Sequence, residues 1–183
     1  MLFVPCLVDG ARMIEPTSHQ DSRGLFARAW CRDEFSAAGI EFSPVQANTA
    51  LSLRKGTMRG LHFQVAPALE AKLVRCVRGA IFDVVVDLRP QSPTYRAWFG
   101  TILSSSNRRA LYIPEGCAHG CLSTEDDTEI QYMASAAHSP AHARGVRFDD
   151  PAFGVRWPIP ATVVSDQDNR WPAFAATSEG ELA

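Results

Sequence analysis

The sequence has 183 residues, of which 46% are hydrophobic and 21% charged, a balance typical of one globular domain and unlike a disordered or collagen-like chain. The formal net charge of −2 excludes a bulk electrostatic attraction to nucleic acid or to an anionic membrane. Five cysteines without a CxxC pair indicate neither a disulfide framework nor a structural zinc site. No apolar run approaches the roughly 20 residues that span a bilayer, and the apolar start (MLFVPCLV) is too short for a signal peptide. We therefore expect a reduced, cytoplasmic protein with a single domain over residues 1–183 and a frayed end after about residue 176.

Helix signals are scarce along the chain. One short helix is predicted over Arg32–Ala38 and ends at Gly39. The other predicted elements are short strands divided by turn residues: Gln46–Leu53, Arg59–Gln64, Lys72–Arg78, Ala80–Leu88, Trp98–Ser104, Leu111–Ile113, His119–Ser123 and Glu129–Ser135. Strands at intervals of roughly ten residues, without helical crossovers, predict an all-β sandwich or barrel, with the jelly roll as the commonest closed form. The tail after Arg147 is predicted to pack as irregular structure over the barrel.

Strand alternation assigns the unusual side chains to particular faces of the sheets. Within Ala80–Leu88, Asp83 and Asp87 fall on the face opposite the apolar residues that begin with Phe82. A buried carboxylate needs a partner, so we interpret both aspartates as surface residues or members of ion pairs within the sheet. His62 lies between two large apolar residues, and it points into the barrel if those neighbours pack outside. An interior histidine of this kind is either a hydrogen-bonded structural group or a general base.

A bound metal is one hypothesis for this histidine. Metal-binding barrels of the cupin type often carry a His-x-His pair, a following Glu and a later His. The sequence has no His-x-His pair, because Gly60 and Gln64 occupy the two positions beside His62 on the same strand face. Glu70 and His119 could still join His62, so a metal-dependent cupin enzyme using these three residues remains an alternative.

General base catalysis is the second hypothesis, and it requires an acid and an electrostatic sink near the imidazole. Lys72 lies on an apolar strand, where a cation is costly unless it meets an anion. Tyr132 could supply a proton, and Asp168 could orient an imidazole by accepting its other N–H. Arg23 and Arg59 could bind phosphate groups. Residue spacing alone does not show whether these side chains converge.

Several motifs in a fixed order identify a resemblance. They are RGLHFQ (Arg59–Gln64), EAKLVR (Glu70–Arg75), GAIFDVVVDL (Gly79–Leu88), SPTY (Ser92–Tyr95), YIPEGCAHG (Tyr112–Gly120) and FDDP (Phe148–Pro151). On these motifs the chain resembles the dTDP-4-dehydrorhamnose 3,5-epimerase family, the sugar-nucleotide epimerases of the cupin superfamily. The resemblance extends from Pro16 to Pro172, and several ordered motifs are far more specific than one short pattern.

The resemblance implies a double-stranded β-helix, that is, a jelly-roll, cupin-like barrel with short helices. It also implies a homodimer whose N-terminal segment reaches its partner, a nucleotide-sugar substrate, and no metal or other cofactor. By the family pattern His62 is the catalytic base with Asp168 as its paired carboxylate, Tyr132 is the acid, and Lys72 lies beside the substrate carbonyl. The residues that match substrate contacts are Arg23, Gln46, Asn48, Arg59, His119 and, at the position that stacks on the base, His138.

The implied activity is epimerisation at C3, C5 or both of a nucleotide-linked 4-keto-6-deoxyhexose, through an enolate. The sequence departs from the family pattern at three positions: His138 replaces a tyrosine, Arg28 a glutamate and Gln167 a lysine. These positions concern substrate binding and not proton transfer, so they affect which nucleotide and which carbon are used. A sugar-nucleotide binding module without turnover is a further alternative.

Overall fold

The computed structural model describes residues 1–174, and the expected frayed end after about residue 176 lies outside them. The described chain consists of fourteen strands and two short helices. The strands are β1 (Leu2–Pro5), β2 (Arg12–Glu15), β3 (Ser18–Asp21), β4 (Gly24–Ala27), β5 (Gln46–Ser52), β6 (Thr57–Gln64), β7 (Lys72–Arg78), β8 (Ala80–Asp87), β9 (Trp98–Ser104), β10 (Ala110–Ile113), β11 (Cys117–Ser123), β12 (Thr128–Ala134), β13 (Ala143–Gly145) and β14 (Val163–Val164), and the helices are α1 (Arg32–Ala37) and α2 (Asp166–Arg170).

Two antiparallel sheets form the jelly roll. The first has the strand order β1-β2-β10-β7-β12-β5, and the second has the order β13-β6-β11-β8-β9, with β14 pairing parallel to β6. Strands β3 and β4 form a separate two-stranded hairpin. A shared core that includes Val74 and Ile130 of the first sheet and Val85 and Leu103 of the second shows that the two sheets pack face to face. The predicted all-β jelly roll is confirmed.

Strand β8 shows why the barrel has an interior and a covered exterior. Ile81 and Val85 point into the core between the sheets, whereas Val84 and Val86 belong to a second cluster outside. Residues after β13 supply the cover, with Phe153 buried in that outer cluster. The tail therefore packs over the barrel as predicted, because the outer face of β8 is apolar and must be shielded from water.

The predicted strands agree with the structure to within two residues at each end, and the predicted helix ends one residue early, at Ala37. Gly39 follows it with a φ of +75°, which suits the glycine predicted to end the helix. The sequence did not predict β1–β4, β13, β14 or α2, which are two to five residues long and too short to show a periodicity. Neither helix in residues 1–174 has the length and apolar character needed to cross a membrane.

Candidate active site

His62 points into the barrel from the middle of β6. Its neighbours Leu61 and Phe63 are buried in the outer cluster, so alternation turns the imidazole inward, as predicted. Strands β6 and β11 approach closely here, since a Cβ on Gly60 would lie only 2.5 Å from the Cα of Gly120. The register places His119 of β11 opposite His62, so two imidazoles lie side by side on the wall formed by the second sheet.

Asp168 forms a close pair with His62. A hydrogen bond of 2.5 Å joins Nε2 of His62 to Oδ1 of Asp168, and the other carboxylate oxygen accepts the backbone N–H of Gly60 at 3.4 Å. The aspartate is held by the first turn of α2, where Oγ of Ser165 accepts its backbone N–H at 3.0 Å. Burial raises the pKa of the Asp168 carboxyl, but the hydrogen bonds and the charge of His62 outweigh burial and hold that pKa below its usual value.

Lys72 extends from β7 on the opposite wall, that of the first sheet. It is buried, and its ammonium group forms an ion pair with Glu70. Burial lowers the pKa of Lys72, whereas the charge and hydrogen bond of Glu70 act in the other direction. The carboxylate of Glu70 thus favours the charged form of a lysine that lies in a largely apolar wall.

Tyr132 comes from β12 of the first sheet, where it lies between Val74 of β7 and Asn48 of β5 in the strand register. Burial raises the pKa of its phenol, and the negative charge of Glu70 raises it further. The phenol is therefore held in its protonated form, which is the form that an acid catalyst needs.

A two-part cleft brings most of the predicted residues together. One cavity of about 530 Å³ and a second of about 700 Å³ share His62, Lys72, Tyr132 and Gln167 in their walls, and such volumes suit a small-molecule site. Nine of the ten predicted site residues line one or both cavities: Gln46, Asn48, Arg59, His62, Lys72, His119, Tyr132, His138 and Asp168.

Arg23 is the tenth, and within residues 1–174 it lines neither cavity. It lies at the turn of the β3–β4 hairpin, where its guanidinium group pairs with Asp21 at 2.6 Å, and its side chain is 88% exposed.

Hydrogen bonds fix several polar side chains in the walls of the two cavities. The Gln46 amide donates to Oδ1 of Asn48 at 3.0 Å and accepts the backbone N–H of His138 at 3.2 Å. Arg59 is anchored at the first cavity by donating to the carbonyl of Leu51 at 2.8 Å. Amide and guanidinium groups fixed in this way can bind the polar parts of a ligand without first losing side-chain freedom.

Asp83 is fully buried and is paired with a histidine. Its Oδ1 lies 2.7 Å from Nε2 of His119, so the expectation of a surface position is wrong for Asp83, and the alternative of a partner within the sheet is correct. Asp87 is also buried, and it binds the guanidinium group of Arg89 at 2.8 Å and the hydroxyls of Ser92 and Thr94. Asp87 therefore holds the loop after β8 and lies in neither cavity.

The three side chains of the hypothetical metal site do not converge. Glu70 is paired with Lys72 and His119 with Asp83, and no three His, Cys, Asp or Glu side chains in the described part of the chain form a group that could hold a metal ion. The arrangement thus gives no support to a metal site on His62, Glu70 and His119.

Two residues of the site were missed in the sequence. Glu70 was considered only as a metal ligand, and Trp171 was not considered, although its indole N–H donates to Oδ1 of Asp168 at 3.2 Å. The Ser165-x-x-Asp168 spacing, typical of a helix N-cap, is the one signal that could have placed this segment. Of the departures from the family pattern, Gln167 lines both cavities, whereas Arg28 forms a 2.5 Å ion pair with Glu34 away from them.

Comparisons with known proteins agree on one family. A family model described as dTDP-4-dehydrorhamnose 3,5-epimerase matches residues 5–176. The chain is 41% identical to a dTDP-4-dehydrorhamnose 3,5-epimerase of Sinorhizobium fredii over 95% of this chain and 90% of that one. It is also 41% identical to a dTDP-4-dehydrorhamnose 3-epimerase of Streptomyces niveus over 92% and 81% of the two chains. The crystal structure of the 3,5-epimerase of Bacillus anthracis with TDP and PPi bound has a TM-score of 0.88 and 38% identity, over 90% of this chain and 94% of that one.

Proposed function

Because the chain belongs to the dTDP-4-dehydrorhamnose 3,5-epimerase family and is an epimerase, we propose that it transfers protons between a nucleotide-linked 4-keto-6-deoxyhexose and the pair His62 and Tyr132. One observation carries this proposal. His62, paired with Asp168, and Tyr132 lie on the walls of one cavity and belong to opposite sheets. A sugar ring bound between them would present its two faces to a base and to an acid.

The chemistry follows from the ketone at C4 of the sugar. A hydrogen on C3 or C5 is acidic because the carbanion left behind delocalises onto O4 as an enolate. His62 removes this hydrogen as a proton, and the ammonium group of Lys72 stabilises the negative charge that develops on O4. Tyr132 then donates its proton to the opposite face of the same carbon, so the configuration inverts. Positioned proton transfer of this kind contributes typically about 10²–10⁴ in rate.

The nucleotide occupies the second cavity in this proposal. Gln46, Asn48 and His138 line it, and Arg59 and His119 line the first cavity nearer the dyad. The positive charge of Arg59 suits a diphosphate group, and the imidazole of His138 can stack on a base. TDP is bound in the Bacillus anthracis relative, which supports a thymidine nucleotide as the carrier.

We also propose a homodimer in which the β3–β4 hairpin reaches the cleft of the partner. Every residue of β3 is exposed, and Phe26 of β4 is 69% exposed, so a second copy that docks on the hairpin would bury an apolar ring. Arg23 at the hairpin turn lines neither cavity in the described part of its own chain, and in the proposed dimer it would meet a substrate diphosphate in the cleft of the second copy. A hollow of about 250 Å³ between β5, β7 and β12 shares Asn48 and Tyr132 with the cleft, and it would receive such a segment.

Deuterium incorporation tests the proposed reaction. The enzyme is incubated with dTDP-4-keto-6-deoxyglucose in D₂O, and NMR follows the signals at C3 and C5. We expect deuterium at C3, C5 or both, and we expect His62→Asn to abolish this incorporation while the protein keeps its circular dichroism spectrum. A wild-type enzyme that exchanges neither position of any nucleotide-linked 4-ketosugar would contradict the reaction, and exchange that survives in His62→Asn would contradict the base.

A further inference from the structure

Three contacts hold the indole ring of Trp171 beside the His62–Asp168 pair. Its indole N–H donates to Oδ1 of Asp168 at 3.2 Å. Its ring meets the imidazole of His62 edge to face, with centroids 6.3 Å apart and an interplanar angle of 67°. Behind it lies Gly145 of β13, where an added Cβ would overlap the indole ring. Gly145 pairs with His62 in the strand register. The strand that packs against the indole ring, β13, is therefore the neighbour of β6, the strand that carries His62.

From this arrangement we propose that Trp171 is a positioning residue, which fixes the orientation of Asp168 and keeps it a carboxylate, and so holds the imidazole of His62 in its working position. The inference rests on the proposed role of His62 as the base. An indole N–H is a donor only, so its hydrogen bond favours the ionised carboxylate over the protonated acid. Oδ1 thereby receives donors from both His62 and Trp171, which fixes the plane of the carboxylate relative to the imidazole.

Several titratable groups surround Asp168. His62 of β6 lowers its pKa, the thiol of Cys121 of β11 also interacts with it, and Arg59, Lys72 and His119 line the same cavity. Burial raises the pKa of the Cys121 thiol above its usual value, so this thiol stays neutral. Besides the imidazole, the groups that favour the carboxylate are the backbone N–H of Gly60 and the indole N–H of Trp171.

Trp171→Phe tests the proposal, because phenylalanine keeps a smaller aromatic ring at this position and lacks the N–H donor. We expect kcat to fall about tenfold, the loss typical of one hydrogen bond to a charged group, with KM for the sugar nucleotide unchanged. The pKa of Asp168 should rise when a donor to its carboxylate is lost. Activity that requires the carboxylate is lost as the pH falls through that pKa, so the acidic limb of the kcat profile should move to higher pH.

Trp157→Phe is the matched control. Its indole N–H donates to a backbone carbonyl, that of Phe148, at 2.9 Å, and its ring belongs to the outer cluster. The same atoms are removed, but no carboxylate of the dyad loses a donor, so kcat and the acidic limb should keep their wild-type values. Equal changes in both variants would show a general effect of losing a tryptophan and would overturn the assignment.

A second measurement keeps Trp171 in place and does not depend on the stability of Trp171→Phe. The chain has four tryptophans, and we expect Asp168→Asn to shift the indole N–H resonance of Trp171 while those of Trp30, Trp98 and Trp157 stay in place. A Trp171 resonance that does not respond, or a Trp171→Phe enzyme with wild-type kcat and acidic limb, overturns this inference alone. Exchange that persists in His62→Asn would instead overturn the proposed function, so the two failures are distinguishable.

Discussion

Tyr132 and His62 belong to opposite sheets, and in the proposed mechanism this placement decides which step each residue performs. A base on one face of the sugar can remove a proton and return it to the same face, which exchanges hydrogen without inversion. Inversion requires a second donor on the other face, and Tyr132 occupies that wall of the cavity with a phenol whose pKa burial raises. The two activities, exchange and inversion, should therefore separate when the phenol is removed.

Tyr132→Phe should lower the rate of epimerisation by about 100-fold or more and should lower deuterium exchange at the first carbon much less. The reason is that His62 can still form the enolate and return a deuteron from its own side. NMR of the reaction in D₂O gives both rates from one sample. Tyr95→Phe is the control, since Tyr95 packs its ring against Phe174 outside the cleft and should behave as wild type. Equal loss of exchange and inversion would show that Tyr132 is not the acid.

Glu70→Gln should move the basic limb of the pH profile to lower pH. Burial lowers the pKa of Lys72, and the charge of Glu70 raises it, so removing that charge lowers the pKa of Lys72 further. Activity that needs the ammonium group is present below this pKa and is lost as the pH rises through it. The charge of Glu70 also raises the pKa of Tyr132, so its removal favours loss of the phenol proton and moves the basic limb in the same direction.

Rates measured across the alkaline range test this shift. Glu41→Gln is the control, because it removes an exposed carboxylate that accepts a hydrogen bond from Ser36. It should leave the basic limb of the pH profile in place. A Glu70→Gln enzyme with a wild-type basic limb would show that Glu70 does not control the charge of Lys72.

For individual residues, the sequence predicted the functional side chains better than it predicted the charged side chains that pair with them. His62, Lys72, Tyr132 and Asp168 all line the cleft. Strand alternation predicted the inward orientation of His62, residue type suggested the other three, and the resemblance to the family assigned their roles, including that of Asp168 on helix α2. The pairs Glu70–Lys72 and Asp83–His119 were not predicted. The face of a strand can be inferred from alternation, but which carboxylate meets a given cation depends on register and loop geometry.

Helix α2 is a short element with a large effect on the site. Its five residues carry Asp168 in the first turn, and Ser165 caps that turn through its side chain. The cap and the dyad share one residue, since the backbone of Asp168 donates to Ser165 while its side chain meets His62. Stability of the turn and orientation of the carboxylate are therefore coupled.

Ser165→Ala should lower the free energy of unfolding by about 1 kcal/mol and should also lower kcat, because the turn that positions Asp168 loses its cap. Chemical denaturation and steady-state kinetics measure the two effects. Ser36→Ala in α1 is the matched control, since its hydroxyl bonds only the exposed Glu41, and it should change neither quantity appreciably. A loss of stability with wild-type kcat would show that Gly60, Trp171 and His62 hold the carboxylate without the cap.

Elements of seven or eight residues were predicted closely, including Lys72–Arg78 and Trp98–Ser104, whose bounds agree with β7 and β9. Their alternation and the turn residues between them are strong local signals. Strands β13 and β14 were not predicted, because two or three residues are too few to show an alternation of apolar and polar side chains. They form by pairing with the backbone of β6. Such strands are set by tertiary structure and not by local propensity.

For the whole molecule, regular strand spacing predicted the all-β class, whereas the cleft depends on how the two sheets face each other. Sheet order joins strands far apart in sequence, such as β5 with β12 and β2 with β10, and local patterns do not contain this information. The resemblance to a family supplied it, and the structure confirmed the jelly roll. The exposed β3–β4 hairpin is the element to which the proposed dimer gives a role on a second chain.

Subunit complementation tests whether that hairpin acts on a second copy. Arg23→Ala and His62→Ala should each be nearly inactive alone, the first through a raised KM and the second through a lost base. When the two variants are co-expressed with different tags, a dimer carrying both tags combines the intact cleft of one subunit with the intact Arg23 of the other. One of its two sites is complete, so purified mixed dimers should recover about half of the wild-type activity. Mixed dimers of Arg23→Ala with a chain carrying both substitutions have no complete site and should stay inactive. If the first mixture also stays inactive, Arg23 acts in its own subunit or in neither. The proposed dimer, in which each β3–β4 hairpin reaches the cleft of the partner, would then be wrong.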